Sequence, residues 1–404
     1  MNAPADPAPV FPLRPEAAGA PASGIVEAMT YGRGRPGLIP LWAGEGDMPT
    51  PAFIFDAATR ALVAGETFYT WQRGIPGLRQ ALARYHEGRY GRAFDPERFS
   101  VTVGGMHAAQ TAVRIAAGPG DEVLVPTPAW PNFRGAITVA GASPVAVPMS
   151  GGMAGWSLDL DRLGDAVTPR TRAIVVNSPA NPTGWTARLD ELRDILALAR
   201  RHGLWIIADE IYARFVYDPA LAMGEGRAPS FHDVMAEDDR ILFVQTFSKN
   251  WAMTGWRVGW LEAPPALGPV IENLIQYSTS GVATFLQRAA VAALEQGESF
   301  AAHQIARARR GRDIVCEGLA ATGRVQLPAP PGAFYAFFQV PGVTDSRALA
   351  LRLIDEANVG LAPGAAFGEG GEAYLRLCFA RKAEDLEEAV RRLVPVLGAL
   401  SGPV

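Results

Sequence analysis

Short apolar runs and polar breaks alternate along the middle of this chain. Val101-Thr102-Val103, Val123-Leu124-Val125, Ala173-Ile174-Val175-Val176, Leu204-Trp205-Ile206-Ile207-Ala208 and Ile241-Leu242-Phe243-Val244 each end within two residues at Gly, Pro, Asn, Asp or Thr. Runs of this length and composition read as buried strands. Helical spacing appears between them. Leu192, Ile195, Leu196 and Ala199 share one face, and Gly203 stops that helix. Earlier, Leu78, Leu82 and Tyr85 give a second apolar face after Pro76-Gly77. Strands alternating with helices from about residue 100 to 260 predict an α/β fold, a mostly parallel central sheet with helices on both faces. Beyond Trp260 the pattern turns mostly helical, and the C-terminal part reads as a smaller α+β unit. The expected division is a large domain over 51–294 and a small domain joining 23–50 to 295–404.

Composition narrows the function classes. The net charge of −4 offers no basic field for nucleic acid and no polybasic patch for a membrane. No apolar run approaches the ~18 residues that span a bilayer. Cys316 and Cys378 form neither a disulfide framework nor a metal spacing, and the five histidines show no zinc motif. No metal site is expected. Residues 1–22 are rich in Pro and Ala, without a basic or apolar signal segment, and read as a disordered tail. Together these features lead to an expectation of a cytoplasmic enzyme.

The candidate chemistry centres on a lysine. Among 37 basic residues only Lys249 and Lys382 are lysines. A guanidinium stays protonated at any working pH, whereas a buried ammonium can lose its proton and attack a carbonyl. Lys249 follows the strand Ile241–Val244 and stands among Thr246, Ser248 and Arg257, which suggests an aldehyde cofactor carrying a phosphate. Gly104-Gly105 opens a helix directly after a strand, and such a turn cradles an anion. Trp130, past a strand's end, can stack on a flat heteroaromatic ring as well as pack in the core. Asp209 ends a buried strand, where a carboxylate is costly without a cationic partner. Arg376 stands inside an apolar run, where an unpaired guanidinium is equally costly unless a carboxylate meets its fork.

Several stretches match a known family. Thr246-Phe247-Ser248-Lys249 through Trp256-Arg257-Val258-Gly259 resembles the lysine motif of the class I/II aminotransferases, pyridoxal-phosphate (PLP) enzymes of fold type I. Asn181-Pro182-Thr183-Gly184, Asp209-Glu210-Ile211-Tyr212, Tyr69 through Arg79, Gly44-Glu45-Gly46-Asp47 and Tyr374-Leu375-Arg376 are similar to further family segments, in the family's order. The resemblance implies a Lys249 Schiff base with PLP and amino transfer from an L-amino acid to a 2-oxo acid. It implies that Lys249, Asp209 and Tyr212 are catalytic. The phosphate falls to the backbone of Gly105, Met106 and His107, with Thr246, Ser248 and Arg257. Trp130 stacks on the ring, Asn181 and Tyr212 bond O3′, and Asp209 meets the ring nitrogen. Gly44, Asn181 and Arg376 bind the substrate carboxylate. A homodimer is implied, with Tyr69 reaching the partner's cofactor. Some aspartate-specific relatives carry a lysine where this chain has Met106, so the expected donor leans apolar or aromatic. A PLP-dependent C–S β-lyase on the same fold is the alternative.

Overall fold

The computed structural model describes residues 11–400, apart from the Glu225 side chain. The apolar runs form strands β1 (Phe99–Thr102), β2 (Glu122–Thr127), β3 (Ser143–Pro148), β4 (Thr171–Asn177), β5 (Trp205–Asp209), β6 (Ile241–Thr246) and β7 (Gly259–Glu262). They assemble into one sheet in the order β1-β7-β6-β5-β4-β2-β3. Pairings from β3 through β6 are parallel, and β7 runs antiparallel to both neighbours. The expected α/β architecture is the one observed.

Helices cover both faces. Gly104–Ala116 packs Ala108, Ala109, Ala112 and Val113 against Val175, Ile207 and Val244. Leu189–His202 packs Leu192, Ile195, Leu196 and Ala199 against Ile174, Ile206 and Phe243 on the other face. Successive strand residues therefore serve opposite layers, which is why these strands read as unbroken apolar runs. Gly203 ends the second helix at φ +66, a conformation that costs glycine nothing.

A three-stranded antiparallel sheet lies apart from the seven-stranded one. Its strands are β8 (Tyr335–Gln339), β9 (Ala362–Pro363) and β10 (Tyr374–Cys378), with β10 in the centre. The short strand Ile39–Pro40 pairs with Val359–Gly360, so a segment near the start of the chain is fastened beside this unit.

The Pro/Ala-rich segment at the start of the chain falls partly outside the described residues, which begin at Phe11, and within it Pro15–Ala18 form a helical turn. Proline at the first helical position presets φ, and Arg14 Nε donates to Glu16 Oε2 at 3.0 Å across the turn. Pro21 then lies beside Gly135 of the helix Pro131–Val139.

Candidate active site

Parallel strands bring their C-terminal ends to one edge of a sheet, and loops leaving that edge share a crevice. Asn177, Asp209 and Val244 lie in register across β4, β5 and β6. The loops after these strands carry Asn181, Tyr212 and Lys249. Gly259, the first residue of β7, lies opposite Thr246 on one side and Thr102 on the other. Arg257 and the Gly104-Gly105 turn therefore reach the same edge. Trp130 follows β2 there.

Lys249 is enclosed. Its Nζ donates to the Gly44 carbonyl at 2.6 Å and sits 5.8 Å from the Tyr212 ring centre. Burial pushes its pKa down to about 8, with Arg376 adding to the fall and Cys378, Glu45 and Asp209 opposing it. Asp209 is 1% exposed. Its carboxylate accepts one backbone N–H, from Ile211 at 3.3 Å, and burial raises its pKa to about 7. A half-buried amine and a buried acid thus both drift toward neutrality, because neither has a full counter-charge. A cation set against Asp209 would restore its ionisation, which is what a protonated pyridine nitrogen offers. On this test the residues fit PLP.

Arg376 projects from β10 and is 2% exposed. Its partners are neutral. Nη1 donates to Asn181 Oδ1 at 2.9 Å, and Nη2 donates to the Trp42 carbonyl. Nε has no partner among the described residues. The guanidinium lies over the rings of Tyr335 and Phe367, at 4.6 and 4.8 Å. A buried cation with aromatic faces and carbonyls around it, and no acid, is poised for an anionic ligand.

The glycine turn that opens the helix Gly104–Ala116 is built from close approaches. Gly104 has φ +71, and a Cβ there would collide with the Arg257 guanidinium. A Cβ on Gly259 would strike Gly104 and Gly105 at 2.8–2.9 Å. Arg257 itself holds φ 55, an uncommon conformation for a side-chain-bearing residue, and Nη1 donates to the Thr254 carbonyl at 2.7 Å. Thr246 Oγ1 bonds Ser248 Oγ at 2.9 Å. Gly105, Met106 and His107 fall in the first turn of the helix Gly104–Ala116, where backbone N–H groups lack intrahelical acceptors. His107 is tied down on both sides. Nδ1 accepts from the Val103 N–H at 3.2 Å, and Nε2 bonds Ser278 Oγ at 3.0 Å.

Trp130 is half-buried, edge-on to Phe133. With Met106 and Thr127 it lines a cleft of about 780 Å³ facing Pro363, Ala365 and Phe367. Asn181 precedes a cis proline. Tyr69 is not gathered in. It is 97% exposed, beside Phe68 and Trp71. Two residues escaped the sequence reading. Tyr335 bonds Tyr212 hydroxyl to hydroxyl at 2.6 Å and abuts Gly44. Asn177 ties the end of β5 at Asp209 to the loop that carries Asn181. Neither carries a charge that would mark it in the sequence.

A second buried cluster is separate. His86, His232 and Glu262 bring ligand-type atoms within 4.8 Å of one another. Arg92 donates toward His232 Nδ1 and Arg98 Nε donates to Glu262 at 2.9 Å. Guanidinium donors on two of the three residues make this a hydrogen-bonded core.

Comparison with known proteins decides what the edge is for. The profile of the aminotransferase class I and II family matches residues 37–393. The chain belongs to that family. Arginine–pyruvate transaminase of Pseudomonas aeruginosa is 35% identical over 366 residues, covering 90% of this chain and 91% of the relative. Aspartate aminotransferase of Thermotoga maritima is 35% identical over 362 residues, covering 90% and 92%. The solved Thermotoga maritima aspartate aminotransferase superimposes with a TM-score of 0.88 at 32% identity, covering 96% of this chain and 100% of that one. An aromatic aminotransferase from Pyrococcus horikoshii gives 0.83 at 33% identity, covering 92% and 98%. The fold is PLP fold type I, and the chain is a PLP-dependent transaminase. These relatives do not favour the C–S lyase alternative. No described helix is long and apolar enough to cross a membrane.

Proposed function

We propose that this aminotransferase takes amino donors with apolar or aromatic side chains rather than strictly aspartate, and that Lys249, Asp209 and Arg376 carry the reaction. The observation behind the roles is the pairing of a charge-suppressed amine and acid beside a guanidinium with no acid of its own. PLP, when bound, supplies an aldehyde that condenses with amines and a ring that accepts electrons from the substrate Cα.

The chain's own groups divide the remaining work. Lys249 anchors the cofactor. With a pKa near 8 its free amine serves as the base that moves the Cα proton. Asp209 holds its carboxylate for the ring nitrogen. Asn181 gives Oδ1 to Arg376, which leaves its Nδ2 to donate to the ring oxygen together with the Tyr212 hydroxyl. The first-turn N–H groups of Gly105, Met106 and His107 take the phosphate with Thr246, Ser248 and Arg257. Trp130 covers the ring. Arg376 orients the substrate carboxylate against the Gly44 backbone.

The donor reading rests on Met106, Ala129, Trp130 and Phe367, apolar residues in a cleft whose lining also carries Glu27, Arg134, Arg347 and Glu369. The relatives named for arginine, aspartate and aromatic substrates support a donor range wider than aspartate. A large domain over 51–294 fits a seven-stranded sheet drawn wholly from residues 99–262, and a small domain of 23–50 with 295–404 fits the pairing of Ile39–Pro40 with Val359–Gly360. The exposed group Phe68, Tyr69 and Trp71 supports a homodimer in which Tyr69 serves the partner's site. Two free thiols are in keeping with a cytoplasmic setting. The test is an absorbance assay of the PLP-loaded protein against a panel of amino acids with a 2-oxo acid acceptor. Aromatic and branched donors should turn over fastest. A wide lead for aspartate would overturn the donor assignment.

A further inference from the structure

Asp209 and Asn181 sit on different segments, yet their proposed roles require a fixed distance between them. One side chain spans that gap. Asn177 is the last residue of β4 and lies directly opposite Asp209 in the sheet. Its Nδ2 donates to the Asp209 carbonyl at 3.0 Å, with a longer contact to the Pro179 carbonyl at 3.4 Å. Its Oδ1 accepts the Asn181 backbone N–H at 2.8 Å. The Asp209 carbonyl also receives the Ser178 N–H at 3.1 Å, so two donors pin it. Asn181 in turn accepts from Arg376. The chain Asp209–Asn177–Asn181–Arg376 is continuous.

A carboxamide is suited to this place because it carries a donor and an acceptor on one short planar group. An aspartate keeps the acceptor and loses the donor. A leucine loses both at nearly the same volume. The bridge ignores the Asp209 carboxylate, so it leaves that group free for the ring nitrogen.

We propose that Asn177 is a positioning residue for transamination, setting the Asp209 carboxylate and the Asn181 amide relative to each other. The proposal rests on the roles given above to Asp209 and Asn181. Both polar atoms of Asn177 are engaged by backbone groups, so it acts through those two residues. Sites of this kind are sensitive to placement, since a shift of about 1 Å can cost roughly 10²-fold in rate.

The experiment uses Asn177→Leu and Asn177→Asp in the full chain, loaded with PLP. Four quantities are read: melting temperature without cofactor, PLP dissociation constant, the pH midpoint of the bound cofactor's visible band, and kcat/KM. Asn177→Leu should lose about 10²-fold in kcat/KM, with a displaced pH midpoint and a cofactor-free melting temperature close to wild type. Asn177→Asp should move the midpoint to higher pH, because an added carboxylate favours the protonated form, and should retain more of the donor KM than the leucine variant. Wild-type midpoints and kcat/KM in both variants would overturn the proposal. So would losses that track the melting temperature alone. Should Asn177→Leu not fold, Asn177→Asp still decides, since it removes the donor to the Asp209 carbonyl and wild-type kcat/KM there contradicts the bridge. If Asp209→Asn leaves the wild-type midpoint where it is, the role of Asp209 fails instead, and the two failures are told apart.

Discussion

Arg376 and Asn181 stand 195 residues apart in sequence and meet in a hydrogen bond of 2.9 Å, Nη1 to Oδ1. The bond joins the three-stranded sheet to a loop of the seven-stranded one. It also holds a buried cation in place without neutralising it. Arg376→Ala removes that cation and leaves Asn181 Oδ1 without its donor. Losing one member of a buried charged pair with substrate costs about 2–5 kcal/mol, so kcat/KM should fall about 30-fold or more. KM for both donor and acceptor should rise while PLP affinity stays near wild type. Steady-state kinetics with separate cofactor titration checks this.

Asp209 gives the cofactor-free protein a signature in pH. Its folded pKa of about 7 lies above the ordinary 3.8, so the folded state holds a proton that the unfolded state releases. The favourable contribution is complete below about pH 4 and is lost as pH rises through 7. The move corresponds to about 4 kcal/mol at the upper end. Asp209→Asn should therefore raise the cofactor-free melting temperature more at pH 8 than at pH 4. Calorimetry at the two pH values tests it, and an equal gain at both would contradict the assignment. The same substitution should lower PLP-dependent turnover.

Tyr69 is tested by mixing subunits. If its hydroxyl serves the partner's phosphate, Tyr69→Phe weakens PLP binding about 10-fold or more, the usual worth of a hydrogen bond to a charged group. A heterodimer of Tyr69→Phe with Lys249→Ala places one unaltered Tyr69 beside one intact lysine. Partial recovery of activity on mixing is expected. No recovery, with dimer exchange verified by light scattering, would place Tyr69 outside the partner's site.

Met106 is the lever on donor choice. Met106→Lys sets a cation in the cleft that Trp130 and Asn132 also line, where Asn132 Nδ2 now approaches Met106 Sδ at 3.4 Å. The ratio of kcat/KM for aspartate over phenylalanine should rise about 10-fold or more, consistent with an ion pair of a few kcal/mol in a partly buried site. An unchanged ratio would remove Met106 from the specificity pocket.

Much of this was legible before the fold was seen, for identifiable reasons. Buried parallel strands must be apolar on both faces, so β4, β5 and β6 announce themselves as runs, and their ends mark where polar groups concentrate. Asp209 and Arg376 stood out because a charge in an apolar run demands a partner. Lys249 stood out because lysine is rare here. Tyr335 and Asn177 were not legible, because their importance lies in which loops they join, and that depends on register between segments far apart in sequence. The turn at Pro15–Ala18 was missed for a related reason. Composition predicts that such a segment cannot build a core of its own, but it does not predict that a neighbouring helix will support it.

The most direct test of the central claim is covalent. The chain offers only two lysines, Lys249 and Lys382. Reduction of the PLP-loaded protein with borohydride, followed by peptide mass spectrometry, should find the cofactor's mass on the peptide containing Lys249 and nowhere else, and Lys249→Ala should abolish both label and turnover. Label on Lys382, or turnover retained in Lys249→Ala, would contradict the account.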